Sequence, residues 1–156
     1  MRVHDDRIGE FHRLHSSGCF VMPNPWDVGS ARALEQMGFK ALATTSAGLA
    51  WTLGRADSQV TLEQALDHLR LISDAVRVPV NADFEGGYAV DPAQVAANVR
   101  LATETGIAGL SIEDSSGDEA DPLFEFDLAV ERIRAARRAS TRVVRGSFSL
   151  GEPRDS

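Results

Sequence analysis

Apolar positions along the chain alternate between short continuous runs and stripes spaced three and four residues apart. This is the pattern of βα units laid around a parallel sheet. A leading helix is predicted over residues 6–15, where Ile8, Phe11 and Leu14 share a face, and four units follow. The first strand, 19–22, stops at Pro23 and Pro25, which lack ladder donors and fix φ. Asp27 can cap the next helix, with Val28, Ala31, Leu34 and Met37 inward and Gly38 as its stop. Strand two, 40–45, runs into a small polar cluster at 44–48, and a loop is expected over 51–60. Thr61 and Gln64 then make a capping-box pair ahead of the stripe Leu62, Ala65, Leu66, Leu69, Ile72 and Val76.

The third strand spans 78–83, with Pro79 tolerated near its start. Asp91 and Pro92 open a helix with Val95, Val99 and Ala102 inward, ended by Gly106. Strand four, 108–112, closes on Glu113 and Asp114; a turn-rich stretch, 115–122, leads to a helix over 127–139 with Ala129, Ile133 and Ala136 inward. After Ser140 the cadence stops, with at most a short strand at 142–145. The expected division is therefore a domain of βα units over 1–140 and a distinct tail over 141–156.

Composition narrows the function classes. The 156 residues are 43% hydrophobic and 25% charged, as in a folded globular domain. Sixteen basic against 23 acidic residues leave a net charge of −7, which argues against nucleic acid or an anionic membrane as partner. No apolar run approaches a spanning helix and the N-terminus has no signal-like core, so the expected address is the cytoplasm. Cys19 is the only cysteine, read as a buried inert thiol at the start of a strand, and the four histidines are read as solvated. Trp26 and Trp51 are read as packing residues.

Candidate chemistry gathers where strands end and helices begin: Asn24 and Asp27, Thr45 and Ser46, Asn81, Asp83 and Glu85, Glu113 and Asp114. In parallel α/β folds that rim is where ligands bind. Strand periodicity puts Asn81 and Asp83 on one side and Ala82 and Phe84 on the other. Oxygen donors without His or Cys at zinc spacing favour a hard cation such as Mg²⁺. A plain acidic turn over 83–87 is the competing reading, as an N-cap is for Asp27. The 46–49 segment can offer backbone N–H groups to an anion or simply form a turn.

Five motifs in register, Pro-Asn-Pro-Trp-Asp at 23–27, Thr-Ser-Ala-Gly-Leu at 45–49, Gly-Arg-Ala-Asp-Ser at 54–58, Asn-Ala-Asp-Phe-Glu-Gly-Gly-Tyr at 81–88 and Ser-Ile-Glu-Asp at 111–114, resemble the isocitrate lyase and phosphoenolpyruvate mutase superfamily over residues 10–140. The resemblance implies an α/β fold of the (β/α)₈ TIM-barrel type, of which about four βα units and a leading helix are present. It also implies a Mg²⁺-dependent lyase or mutase acting on a small 2-oxo or 2-hydroxy carboxylate or a phosphonate. Carbon-carbon or carbon-phosphorus bonds are made or broken beside an enolate-like group. Carried over by position, Asp83 is the direct metal ligand, Asp57 and Glu113 hold the metal's waters, and Asn81 stands where many members have Asp. Thr45, Ser46, Gly48 and Leu49 match the segment that grips the substrate.

Two departures bear on activity. Where the family's gating loop carries a reacting Lys, this sequence reads Ser-Ser-Gly-Asp-Glu at 115–119, and its only lysine is Lys40. No residue is therefore assigned as the acid or base. A complete barrel takes about 250 residues, and half of one is expected to leave two strand edges open and an apolar interior facing water. A homo-oligomer closing that opening is expected; the other reading is a catalytically silent fragment that acts only by self-association.

Overall fold

A computed structural model describes residues 3–118 and 120–143. Helix α1 (Val3–His15) precedes α2 (Val28–Gln36), β1 (Leu42–Ala43), α3 (Ser46–Thr52), α4 (Leu62–Ala75), β2 (Val80–Asp83), α5 (Pro92–Thr103) and β3 (Gly109–Ser111). A hairpin of β4 (Ser115–Asp118) and β5 (Asp121–Leu123) and the long α6 (Phe126–Val143) follow. Strands β1, β2 and β3 form one parallel sheet in that order, with Ala43 opposite Asn81 and Asn81 opposite Gly109. The architecture is α/β, of the TIM-barrel type, with a three-stranded parallel sheet among the described residues.

The caps behave as the side chains dictate. Asp27 accepts from the Ser30 amide at 2.7 Å and Thr61 pairs reciprocally with Gln64, each satisfying N–H groups a helix start leaves open. Asp91 caps α5 with Pro92 in the first turn, where a missing N–H costs nothing.

The two faces of the sheet differ sharply. Leu42, Val80, Ala82 and Phe84 are at most 1% exposed and pack against Leu69, Ile72, Val95, Val99 and Ala136 from the covering helices. The opposite face presents Ala43, Asn81, Asp83, Gly109 and Ser111, paired across the strands. This corrects the expected apolar interior: the uncovered face is small and polar, because the greasy side lies under helices. One edge is also less open than expected. The Ala43 amide donates to the Pro23 carbonyl at 3.2 Å and Asn24 Nδ2 donates to the Ala43 carbonyl at 2.9 Å, so residues 23–24 lie along β1. Among the described residues no strand pairs with the outer edge of β3.

Several local expectations are corrected. Residues 19–22 form no strand, since Pro23 and Pro25 have no N–H to return to a ladder, and Cys19 is exposed. The 51–60 loop begins later than expected because α3 runs through Thr52. The turn-rich 115–122 stretch is the β4–β5 hairpin, with Ser115 opposite Leu123 and Asp118 opposite Asp121, and Gly117, at φ +78°, sits at the register irregularity between those pairs. Met37 and Ile133, expected inward, are 73% and 38% exposed; α6 buries Ala136 as expected, together with Arg132, Ala135 and Ala139. Of the 142–145 strand, Arg142 and Val143 lie in the last turn of α6, and 144–145 fall outside the described residues.

Helix α1 plugs the end of the sheet away from the polar strand termini, burying Ile8 and Phe11 against Ala41 and Ala108, which immediately precede β1 and β3. Gly109 is the residue that admits it. A methyl there would lie 3.0 Å from both Phe11 Cζ and Asn81 Oδ1, with Phe11 Cε1 closer still. Gly109→Ala is expected to lower stability by about 1–3 kcal/mol through overpacking, read as a lower denaturant midpoint. An unchanged midpoint would show that the plug has slack.

His68, expected at the surface, is 9% exposed, and its Nε2 has no hydrogen-bond partner. Burial holds its pKa below the usual histidine value, and the Asp27 charge only partly opposes this. The unfolded chain therefore binds a proton that the native fold resists. Stability is full above about pH 6.5 and is lost as pH falls from there through the depressed native value. His68→Gln is expected to flatten a slope of at most about 1.4 kcal/mol per pH unit in thermal unfolding between pH 7.5 and 5. An unaltered slope would assign it to other groups.

Candidate active site

At the polar strand ends, Asp83 closes β2 with its amide bonded to Thr44 Oγ1 at 2.9 Å. Its Oδ2 accepts from both the amide and the hydroxyl of Ser46, each at 2.9 Å. Thr45 caps α3, accepting from the Gly48 amide at 3.2 Å, so Ser46 is presented from the first turn of that helix. Gly48 must be glycine: a Cβ would lie 2.6 Å from Trp26 Cδ1 and from Thr45 Cγ2. Trp26 packs edge-on with Trp51 at 5.3 Å, the packing role expected of the pair.

A second carboxylate comes from a segment under backbone tension. Glu85 and Tyr88 adopt φ of +44° and +57°, rare for residues with a Cβ, and the Tyr88 hydroxyl donates to Glu85 Oε1 at 3.2 Å. The Glu85 carbonyl accepts from the Glu113 amide at 2.9 Å, joining the ends of β2 and β3. Burial raises the Glu85 pKa; the Tyr88 hydrogen bond opposes that, and the charges of Asp57, Asp83 and Glu113 add to it. Glu113 is raised by burial, then by Asp83 and Asp57. Tyr88 is pushed up as well, by burial and by the Glu85 charge.

Asp57, Asp83, Glu85 and Glu113 thus feel one another electrostatically, and among the described residues none of them has an ion-pair partner. No three His, Cys, Asp or Glu side chains among the described residues gather closely enough to ligate a metal directly. The charges of Asp57 and Asp83 thus bear on Glu85 and Glu113 at the strand ends, and oxygen donors of this kind suit a hydrated hard cation held through water. Asn81 projects on the same face, its amide donating to the Ala82 carbonyl at 3.3 Å. Asp57 stands in an exposed loop, its Oδ1 accepting from the amide of Ser58, a residue at φ +61°.

Of the four residues expected to grip substrate, Thr45 and Ser46 spend their polar groups on Gly48 and Asp83, and the Leu49 amide donates to the Thr45 carbonyl. Sequence reasoning missed Tyr88 and Arg132 in this region. Arg132 had a readable signal, as the one charge on a face with Ala135, Ala136 and Ala139 at helical spacing. A cavity of about 320 Å³ lies between the 85–90 loop and the hairpin, lined by Ser58, Glu85, Tyr88, Glu113, Ser116 and Phe124.

The profile of the phosphoenolpyruvate phosphomutase family matches residues 11–146. The chain belongs to that family. An uncharacterized protein of Mycobacterium tuberculosis is 36% identical over 134 residues, covering 85% of this chain and 50% of that protein. Among solved structures, a candidate lyase/mutase from Burkholderia cenocepacia superposes with a TM-score of 0.88 at 42% identity, over 92% of this chain and 52% of the other. An oxaloacetate acetylhydrolase bound to its product oxalate matches with a TM-score of 0.78 at 31% identity, over 92% of this chain and 50% of that one. The chain therefore spans about half the length of the family relatives it matches.

Proposed function

We propose that this family member carries the metal-binding half of a lyase- or mutase-type site, acting on a small 2-oxo or 2-hydroxy carboxylate or phosphonate by carbon-carbon or carbon-phosphorus cleavage. The observation that carries this reading is the set of carboxylates around Asp83 without ion-pair partners among the described residues, at the strand ends where parallel α/β folds bind ligands. Asp83 would hold Mg²⁺, with Asp57, Glu113 and the Asn81 oxygen arranging its waters. When bound, the cation would neutralise negative charge that builds on the enolate-like oxygen of the substrate. Ser46 aims Asp83: both its bonds fall on Oδ2, and Oδ1 accepts none among the described residues. With both of its donors on Asp83, Ser46 would set that carboxylate beside the substrate rather than grip the substrate itself. Glu85 and Tyr88 wall the approach from the β2 side. The exposed free thiol of Cys19 and the absence, among the described residues, of a helix fit to cross a membrane suit a cytoplasmic address.

Turnover of oxaloacetate and of a phosphonate by the purified chain tests the reading. Activity is expected with Mg²⁺ and is expected to vanish with a chelator. Activity that survives chelation would overturn the metal-assisted reading, and inactivity toward both substrates would overturn the proposed substrate class.

The open edge of β3 supports the proposed self-association. Beside it, Ile112, Phe126, Ala129, Val130 and Ile133 line a groove of about 630 Å³. With β1 flanked by residues 23–24, the β3 edge is the one left open among the described residues, and pairing two copies through one edge closes the assembly at a dimer. Light scattering after size exclusion is expected to give twice the 16.8 kDa chain mass. A well-behaved 16.8 kDa particle would contradict it.

A further inference from the structure

Beneath the carboxylate cluster lies a cation that the family reading does not use. Arg132 is 1% exposed, the largest of the fully buried side chains. Its Nη2 donates to the Gly86 carbonyl and, at 3.0 Å, to the Ala89 carbonyl; Nη1 reaches the Glu113 carbonyl at 3.4 Å. The guanidinium lies 3.9 Å above the Phe124 ring, and its Nε has no partner. One side chain from α6 therefore ties together the 86–89 loop, the end of β3 and the residue that follows the hairpin.

Stability alone accounts poorly for this choice. Burying a guanidinium without a paired carboxylate carries a desolvation cost that an apolar side chain of similar length would avoid. The carbonyls it gathers belong to the segments that present Glu85 and Glu113, in a loop held at left-handed φ by Glu85, Gly87 and Tyr88. Carbonyl oxygens converging on one planar fork are fixed in both distance and direction, which a point charge or an apolar contact does not achieve.

We infer that Arg132 is a positioning residue, whose guanidinium sets the spacing between the loop that carries Glu85 and the strand end that carries Glu113. The inference rests on the proposed function only in taking those carboxylates as site residues. Gly86 belongs to the device: a methyl there would lie 3.3 Å from Arg132 Nη2 and 3.4 Å from the Ser115 carbonyl oxygen, so a side chain at this position crowds the guanidinium in its seat.

Two variants of the full chain test it, Arg132→Lys, which keeps the charge and removes the fork, and Gly86→Ala, which keeps Arg132 and crowds its seat. The first readout is amide hydrogen exchange without metal. The Gly87 amide, bonded to the Phe84 carbonyl at 2.8 Å, and the Glu113 amide, bonded to the Glu85 carbonyl, report the clamped loop. The Leu42 and Ala108 amides, bonded to the Pro79 and Val80 carbonyls, report the sheet. Both variants are expected to speed exchange at Gly87 and Glu113 by about tenfold or more, the scale of a lost charged hydrogen bond, and to leave Leu42 and Ala108 unchanged. Tyr88 is the only tyrosine, so fluorotyrosine labelling gives a single resonance, expected to shift in both variants. Equal acceleration at all four amides, or none at any, would overturn the inference by reducing Arg132 to a general stabiliser or a bystander. Mg²⁺ affinity is expected to fall about tenfold in Arg132→Lys. A wild-type chain that binds no Mg²⁺ would defeat the proposed function, while the exchange contrast would still decide the role of Arg132.

Discussion

Asp83→Asn is expected to abolish Mg²⁺-dependent turnover, with a loss of about 10³-fold or more, while leaving the fold intact. The loss follows from removing the one full charge that Ser46 holds through two hydrogen bonds at the proposed cation site. Interactions of this kind supply several kcal/mol of transition-state stabilisation, hence the scale of the effect. The fold is spared because asparagine keeps the volume and an oxygen for the Ser46 donors. Apo stability near neutral pH is even expected to rise slightly, because the Asp83 charge helps hold Glu85 and Glu113 above the usual carboxylate range. A folded-state carboxyl pKa above its unfolded value means stability lost as pH climbs through that window, and removing the neighbouring charge reduces the loss. Turnover and thermal midpoint measured together separate the cases: a variant that is stable and inactive fits, and one that is stable and active removes Asp83 from the site.

Phe84→Ala is expected to cost about 3–5 kcal/mol, a large share of the roughly 5–15 kcal/mol that holds a typical domain together. Phe84 is fully buried immediately after β2, and its ring meets Tyr88 edge-on at 5.1 Å. Its amide donates to the Ser111 carbonyl and its carbonyl accepts from the Gly87 amide, so the chain around it cannot easily collapse into the vacated space. A cavity there sits beneath both Asp83 and Glu85. The denaturant midpoint is therefore expected to fall steeply, and Mg²⁺ affinity with it. A change under about 1 kcal/mol would mean that the core beneath the site repacks freely.

The sequence made much of this arrangement legible. Alternation at Val80, Asn81, Ala82 and Asp83 separated the helix-covered face from the polar one, and the burial of those residues follows the same period. The caps at Asp27, Thr61 and Asp91 were readable because a side chain three residues from the helix start decides them locally. What escaped was tertiary. Arg132 belongs to an alanine stripe whose meaning depends on carbonyls more than 40 residues away, and the burial of His68 depends on the elements that pack against α4. The hairpin read as turns because Ser, Gly, Asp and Pro dominate it, and its pairing rests on backbone bonds rather than apolar alternation. Ser46 read as a substrate donor; that its amide and hydroxyl both turn to Asp83, each at 2.9 Å, depends on the fold bringing the start of α3 beside the end of β2.

Calorimetric titration of the purified chain with Mg²⁺ at pH 7.5, in the absence and presence of oxalate, goes to the centre of the account. Oxalate resembles the enolate of a small 2-oxo acid. The expected result is one Mg²⁺ per chain at about millimolar concentration or below, tightened by oxalate and lost in Asp83→Asn. Titrations that show no Mg²⁺ binding, or binding indifferent to both oxalate and Asp83, would contradict the claim that these carboxylates converge on one hydrated cation.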